Sequence, residues 1–258
     1  MKQILVCMKA VPVASSVEVD GQFRLKREGA KLQWNMADTA ALEAALKLRG
    51  QEGTVAVLTM GPEKLSEPLR ELLARGADRA VLLTDRLLAG EDTQATSRAL
   101  FKAVERIGNV DAVFCGAKAL DGETGQVPGK LAAALGWPCV TNAQSVRQEG
   151  AALVIGRRLE DCLQLVAAES PVVLSFCPYC YSLRLASIAS MRRARGKQIE
   201  VLNAASLGLR PEECGLAGSA TRVLSAQSRF PGLRNGPKEE DPEAGISYLR
   251  TMIKEARP

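Results

Sequence analysis

From Ile4 to Gly136 the chain alternates between two hydrophobic patterns. Short, nearly unbroken apolar runs occur at ILVCMK (4–9), TVAVLTMG (54–61), RAVLLTD (79–85) and DAVFCGA (111–117). Runs of this length, bounded by Gly, Pro or Asp, predict strands buried on both faces. Longer stretches with helical spacing separate them. In TAALEAALKLRG (39–50), Leu42, Ala45, Leu46 and Arg49 recur along one face behind Asp38, which is placed to cap the first turn. PEKLSEPLRELLARG (62–76) opens with Pro62 and closes at Gly76, and Pro68 inside it predicts a kink or a delayed start. TQATSRALFKAVERIG (93–108) and TGQVPGKLAAALG (124–136) complete the helical set.

Short buried strands separated by helices pair in parallel, because each crossover helix returns the chain in the same direction. The prediction is an α/β chain: a Rossmann-like parallel sheet with helices on both faces. In such sheets ligands bind beyond the carboxyl ends of the strands. Cys7 to Val11, Met60 to Pro62 and Gly116 to Thr124 are therefore expected to converge. The pattern changes after residue 144. Residues 145–170 read as an antiparallel hairpin, ALVIGRRL and CLQLVAAE around a turn at Glu160 and Asp161, followed by a last buried strand, PVVLSFC (171–177). Residues 178–198 read as irregular and basic. Residues 203–240, rich in Gly, Pro, Ser and charge, read as an extended C-terminal arm, and DPEAGISYLRTMIKEA (241–256) as the helix that ends it. An arm with so little core of its own is expected to lie on another chain.

Composition then narrows the chemistry. The 258 residues contain no histidine, which removes Ser-His-Asp, Cys-His and His-metal schemes together. The seven cysteines are odd in number, and several (Cys7, Cys115, Cys139, Cys162) sit in apolar runs, so buried thiols are expected rather than a disulfide framework. Much of the net charge of +5 falls in MRRARGK (191–197) with no nucleic-acid motif beside it, and no nucleic-acid partner is expected. No apolar run approaches the ~18 residues of a membrane span. MKQILVCMKAVP has too short an apolar stretch for a signal peptide. The expectation is a cytoplasmic protein without a membrane span.

Three short motifs carry candidate chemistry. In GAKALDGETGQVPGKLAAALG (116–136), small residues follow a strand and run into a helix, so backbone N–H groups and the helix dipole can approach an anion. Thr124 and Gln126 add side-chain donors, and Asp121 suits a ribose hydroxyl or a cap. Neither GxGxxG nor GxxxxGK[ST] is present, so phosphate binding and an ordinary strand-to-helix turn both remain open. In QWNMADTAALEAAL (33–46), Asn35 and Asp38 are capping residues or ligand-facing ones. CPYC (177–180) matches a thiol-redox tetrapeptide, but it lies late in the chain without a thioredoxin-like βαβ continuation.

Taken in order, these segments resemble the beta subunit of electron-transfer flavoproteins. KQILVCMKAVP is similar to the family's opening strand and Lys-x-Val-Pro turn. WNMADTAALEAAL, LRELLARGADRAVLL, AKALDGETGQVPGKLAAALGWPCVT, RRLEDCLQLVAAESPVVLS and RGKQIEVLNAASLGL resemble successive family segments over nearly the whole chain. The resemblance implies a nucleotide-binding α/β domain over 1–202, with a recognition loop at about 178–198. It implies an arm and helix over 203–258 that pack on an alpha subunit, which carries most of an FAD site. The beta chain itself holds AMP or a second FAD. That cofactor site maps to Cys7; to Asn35, Met36, Ala37 and Asp38; to Met60; to Gly116, Ala117 and Lys118; and to Asp121, Gly122, Glu123, Thr124, Gly125, Gln126 and Val127. The recognition loop's aliphatic anchor, which docks an acyl-CoA-dehydrogenase-like partner, maps to Ile188, with Leu185 and Met191 beside it.

The chain departs from the family pattern at Met36 and Ala189, where prolines are usual, and at Ala117-Lys118 in place of Lys-Gln. The DGETGQ turn is the short form, and AMP and a second FAD both fit it. No catalytic residue of its own is implied; the role is that of an electron-carrier subunit, with flavin-based bifurcation open. The competing readings are a stand-alone adenine-nucleotide-binding α/β protein and a thiol oxidoreductase through Cys177 and Cys180.

Overall fold

The structure, a computed structural model, describes residues 3–13, 18–19, 25–26, 31–222 and 241–255. Its elements are, in chain order, β1 (Gln3–Cys7), β2 (Ala10–Pro12), β3 (Glu18–Val19), β4 (Leu25–Lys26), β5 (Leu32–Trp34), α1 (Met36–Leu48), β6 (Thr54–Met60), α2 (Ser66–Ala74), β7 (Arg79–Leu83), α3 (Thr93–Ile107), β8 (Ala112–Gly116) and α4 (Val127–Leu135). They continue with β9 (Cys139–Glu149), β10 (Ala152–Arg158), β11 (Leu163–Glu169), β12 (Val172–Phe176), α5 (Ile188–Arg195), β13 (Glu200–Leu202), α6 (Gly215–Gly218) and α7 (Pro242–Glu255).

The apolar runs form strands because both of their faces are covered. Along β1, Ile4 and Val6 point to one side and Leu5 to the other, and all three are buried. The first side takes Val55 and Val57 of β6 and Phe114 of β8, and α1 and α2 cover it with Leu42, Leu69 and Leu72. The second side takes Leu58, Val113 and Val173 under α3 and α4, which supply Leu100, Val104 and Leu131. Alternation is silent in the sequence for this reason: each position faces a helix layer.

The main sheet runs β11-β10-β9-β12-β8-β1-β6-β7-β13. Pairing is parallel from β9 to β13 across the order and antiparallel at β9–β10 and β10–β11. The chain builds outward from β1 through β6 to β7, then α3 carries it back to β8 on the other flank of β1. The winding reverses between β1 and β8, and the carboxyl ends of those two strands open a crevice there.

Several local expectations need correction. α1 begins at Met36, so Asp38 lies within its first turn, and Asn35 occupies the cap position with no side-chain cap bond. Of the two outcomes open for Pro68, the delayed start is found: a 3-10 turn (Glu63–Leu65) precedes α2, and Pro68 sits third in that helix, where no intrahelical N–H bond is lost. The hairpin is a three-stranded meander, because β9 extends it on the inner side. Its polar residues hide it, since one of its faces is largely exposed. Residues 178–198, expected to be irregular, contain α5. Ser187 caps that helix through the Ser190 N–H at 3.1 Å, and Ala194 pins it to the core.

Residues Met1–Leu224 and Ser225–Pro258 are two separate compact units. Residues 203–222, expected to begin the arm, lie in the first of them. β13 adds to β7, and Leu202, Leu207, Leu209 and Cys214 are buried with α3. Of the expected arm, 223–240 falls outside the described residues. In the second unit, α7 opens on Asp241, whose side chain accepts from the Glu243 N–H at 3.1 Å, and Ile246, Leu249, Met252 and Ile253 are exposed along it. Among the described residues no helix is long and apolar enough to cross a membrane.

The core makes a quantitative prediction. Phe114 is fully buried, with its ring centroid 4.9 Å from that of Phe176. Phe114→Ala is expected to cost about 3–5 kcal/mol, read as a lower denaturant midpoint at unchanged slope.

Candidate functional site

At the reversal point a buried carboxylate joins three elements. Asp38, in the first turn of α1, accepts from the Lys9 N–H just beyond β1 at 2.7 Å. Its other oxygen accepts from the Gly116 N–H at the end of β8 and from Asn35 Nδ2, each at 2.9 Å. Burial is the strongest influence on this carboxyl and pushes it up to about 7, against the three donated bonds and the Lys9 charge. The approach is close enough to specify a residue type: a Cβ on Gly116 would stand 2.2 Å from Asp38 Oδ1 and 2.7 Å from the Ala37 Cβ. Glycine is required here for lack of a side chain rather than for an unusual φ.

Asn35 carries the restraint onward into the turn after β8. Its side chain donates to the Lys118 carbonyl at 3.0 Å and accepts from the Leu120 N–H at 3.3 Å, while its own N–H donates to the Lys9 carbonyl at 2.9 Å. The turn closes with the Glu123 N–H on the Ala119 carbonyl at 2.8 Å. Glu123 (φ 49°) and Gly125 (φ 64°) are both left-handed, and a non-glycine residue held there stores backbone strain at the tip. Gly122 to Gln126 are exposed, and Val127 starts α4. The exposed turn thus runs directly into the positive end of α4, an arrangement suited to an anion.

The expected site residues divide by role. Asn35 and Asp38 spend their polar atoms inside the protein and shape the turn, and neither caps α1 through its side chain. Cys7 and Met60 end β1 and β6, half-buried beside the α3–α4 layer. Met36 and Ala37 form the first turn of α1 next to Gly116. Ala117, Lys118 and Asp121 to Gln126 form the turn itself. Three contributors escaped the sequence reading. Lys9 Nζ pairs with Asp121 at 2.7 Å, and its signal was the Lys of the Lys-x-Val-Pro turn. Lys130 donates to Thr93 Oγ1 at 2.8 Å, and Thr93 donates to Gln126 Oε1 at 2.9 Å, so the first turns of α3 and α4 are tied together. No local pattern announced that pair.

The expected docking residues lie apart from this crevice. Leu185, Ile188 and Met191 are exposed, at 86%, 69% and 46%, on the segment leading into α5 and along its first turn. CPYC forms the turn that leaves β12. Tyr179 is left-handed at φ 64°, and Cys180 Sγ lies 3.0 Å from the Cys177 carbonyl. Burial pushes the Cys180 thiol up to about 11 and raises Cys177 as well, opposite to the shift an attacking thiolate requires.

A model of the electron transfer flavoprotein domain matches residues 22–207, more than half of the chain. The chain belongs to the electron transfer flavoprotein family, on the beta-subunit side. It is 40% identical over 228 residues to the electron transfer flavoprotein subunit beta of Thermoanaerobacterium thermosaccharolyticum, covering 87% of each chain. It is 38% identical over 229 residues to the caffeyl-CoA reductase-Etf complex subunit CarD of Acetobacterium woodii, covering 88% of this chain and 87% of that one. With the subunit beta of Clostridium acetobutylicum it shares 36% identity over 254 residues, 98% of both chains. Of the readings open from the sequence, the comparisons support the electron transfer flavoprotein beta subunit rather than a stand-alone nucleotide-binding protein or a thiol oxidoreductase.

Two outcomes test the clamp. Gly116→Ala forces its Cβ against Asp38 and is expected to destabilise the chain by about 1–3 kcal/mol, measured by thermal or chemical melting. The Asp38 carboxyl is raised from 3.8 to about 7 on folding. Its contribution to stability is therefore complete below the unfolded value and is lost as pH rises through about 7. The stability advantage of wild type over Asp38→Asn is expected to shrink between pH 5 and pH 8, read from paired melting curves; an advantage that grows would contradict the assignment.

Proposed function

We propose that this chain pairs with an electron-transfer flavoprotein alpha subunit, binds an adenine nucleotide in the crevice at the β1–β8 reversal, and serves electron transfer between an acyl-CoA-dehydrogenase-like donor and a downstream acceptor. The observation that carries the nucleotide part is the restrained turn of residues 117–126. Asn35 and Asp38 fix its root, while residues 122 and 124–126, just before α4, are exposed and their N–H groups are not taken by the bonds that close the turn. Lys118 and Lys130 place positive charge beside it, and Asp121, held by Lys9, supplies an acceptor suited to a ribose hydroxyl.

The chain's own contribution is binding and orientation. Gly116 lets α1 approach closely enough to fix the root of the turn, and the backbone N–H groups of Gly122 and of Thr124 to Gln126 meet the phosphate. Cys7 and Met60 give the crevice a small apolar wall suited to an adenine edge. FAD, held mostly by the alpha subunit, supplies the redox chemistry when bound. Leu185, Ile188 and Met191 form a compact apolar patch among basic residues, the composition of a transient docking site.

The nucleotide is either AMP or the adenylate end of a second FAD, and composition of the complex decides it. The chain is co-purified with its alpha partner and denatured, and the released FAD and AMP are counted per heterodimer. One FAD with one AMP identifies a single-flavin shuttle; two FAD without AMP identify a two-flavin complex. One FAD and no adenine nucleotide beyond it would remove the nucleotide-binding reading of the turn.

A further inference from the structure

The docking segment is fastened to the scaffold at one residue with unusual completeness. Arg184, immediately before the exposed patch, is held through both its backbone and its side chain. Its N–H and Nε donate to Glu43 Oε2 at 3.1 and 3.0 Å, and its Nη2 donates to Glu43 Oε1 at 3.0 Å. Its carbonyl accepts from Arg75 Nη1 of α2 at 2.9 Å. Glu43 belongs to α1, and its side chain is only 4% exposed. Burial pushes that carboxyl up, but the hydrogen bonds and charge of Arg184 outweigh it and leave Glu43 below the usual carboxylate range. Glu43 is therefore ionised and committed to this one partner.

The far side of the patch is fastened as well. Arg70 of α2 donates to the carbonyls of Arg195 and Lys197 at 3.3 and 2.9 Å, and Lys197 Nζ reaches back to the Ala77 carbonyl at 3.3 Å. Between these two anchors the chain exposes Leu185 and Ile188 with no apolar cover. Exposed aliphatic side chains gain nothing in the free protein, and a segment that had to be ordered on docking would lose affinity to that ordering. A charge pair with one buried partner adds little net stability over an apolar replacement, so its better-attested use is to fix one arrangement.

We propose that Glu43 is a positioning residue for docking: through Arg184 it holds the 185–191 patch in the shape that the electron donor meets. This rests on the docking reading above, and the test separates the two. From a panel of acyl-CoA dehydrogenases, the one that reduces the wild-type complex fastest serves as the probe. Reduction kinetics with that dehydrogenase are measured for Glu43→Gln, Arg184→Lys and Ile188→Ala complexes, together with hydrogen exchange over residues 184–195 and flavin content.

Glu43→Gln is expected to raise KM for the dehydrogenase roughly three- to tenfold, with kcat and flavin content held and exchange over 184–195 accelerated. Arg184→Lys, which keeps the charge but not the forked geometry, is expected to give a smaller shift in the same direction. Ile188→Ala is expected to raise KM without changing exchange. If Ile188→Ala raises KM while both clamp variants leave KM and exchange at wild-type values, the positioning role is wrong and the docking reading stands. If Ile188→Ala also leaves KM unchanged, the docking reading fails and the proposal fails with it. A Glu43→Gln chain that does not fold leaves the decision to Arg184→Lys by the same two readouts.

Discussion

A carboxyl group taken out of water must find donors, and Asp38 finds them on the backbone at the carboxyl ends of two different strands. That requirement organises the crevice. The Lys9 and Gly116 N–H groups sit where they do because both reach the same side chain, and Gly116 tolerates the approach only because it has no Cβ. With α1, β1 and β8 locked to one another, Asn35 lies within reach of the Lys118 carbonyl and the Leu120 N–H. The exposed turn therefore hangs from a buried carboxyl group three residues into a helix. Removing that carboxyl group would loosen a loop that it does not itself touch.

Helix α1 holds two separate surface features in place. Its first turn fixes the 117–126 turn, and Glu43, further along, fixes the segment before the exposed Leu185 and Ile188. Both connections run from a buried polar side chain to a loop. Loops carry function when a rigid element positions them, and here a single helix positions two. The arginines of α2 complete the second restraint through Arg70 and Arg75. The 117–126 turn and the exposed 185–191 segment are thus both fastened to α1.

The proposed function gives these features a common purpose: a subunit that serves a bound flavin uses a fixed nucleotide cradle and a fixed landing patch. The Cys177 and Cys180 thiols, pushed up by burial, are not tuned as attacking thiolates. The similarity to beta-subunit relatives extends over nearly the full chain in the Clostridium acetobutylicum comparison. It therefore includes the elements after β12 as well as the sheet.

The sequence by itself determined the alternation of β1, α1, β6, α2, β7, α3, β8 and α4, because each strand is a short apolar run and each helix has a helical stripe with its own start or stop residue. It also determined that the strand ends would gather, since parallel pairing leaves no other arrangement. Tertiary structure decided the rest. Nothing local could place β12, the last of the apolar runs, between β8 and β9, nor identify β9 as a strand when its polar face looks outward. Residues 203–222 read as an arm because their apolar residues are sparse, yet Leu207, Leu209 and Cys214 find burial on the far edge of the sheet. Asp38 read as a cap or a ligand-facing residue because a local bond is the only one a sequence can display; besides Asn35, its partners are 29 and 78 residues away. The Glu43–Arg184 pair spans 141 residues. Polar side chains in a core are satisfied by whatever the fold brings near, and that proximity is a property of the folded chain.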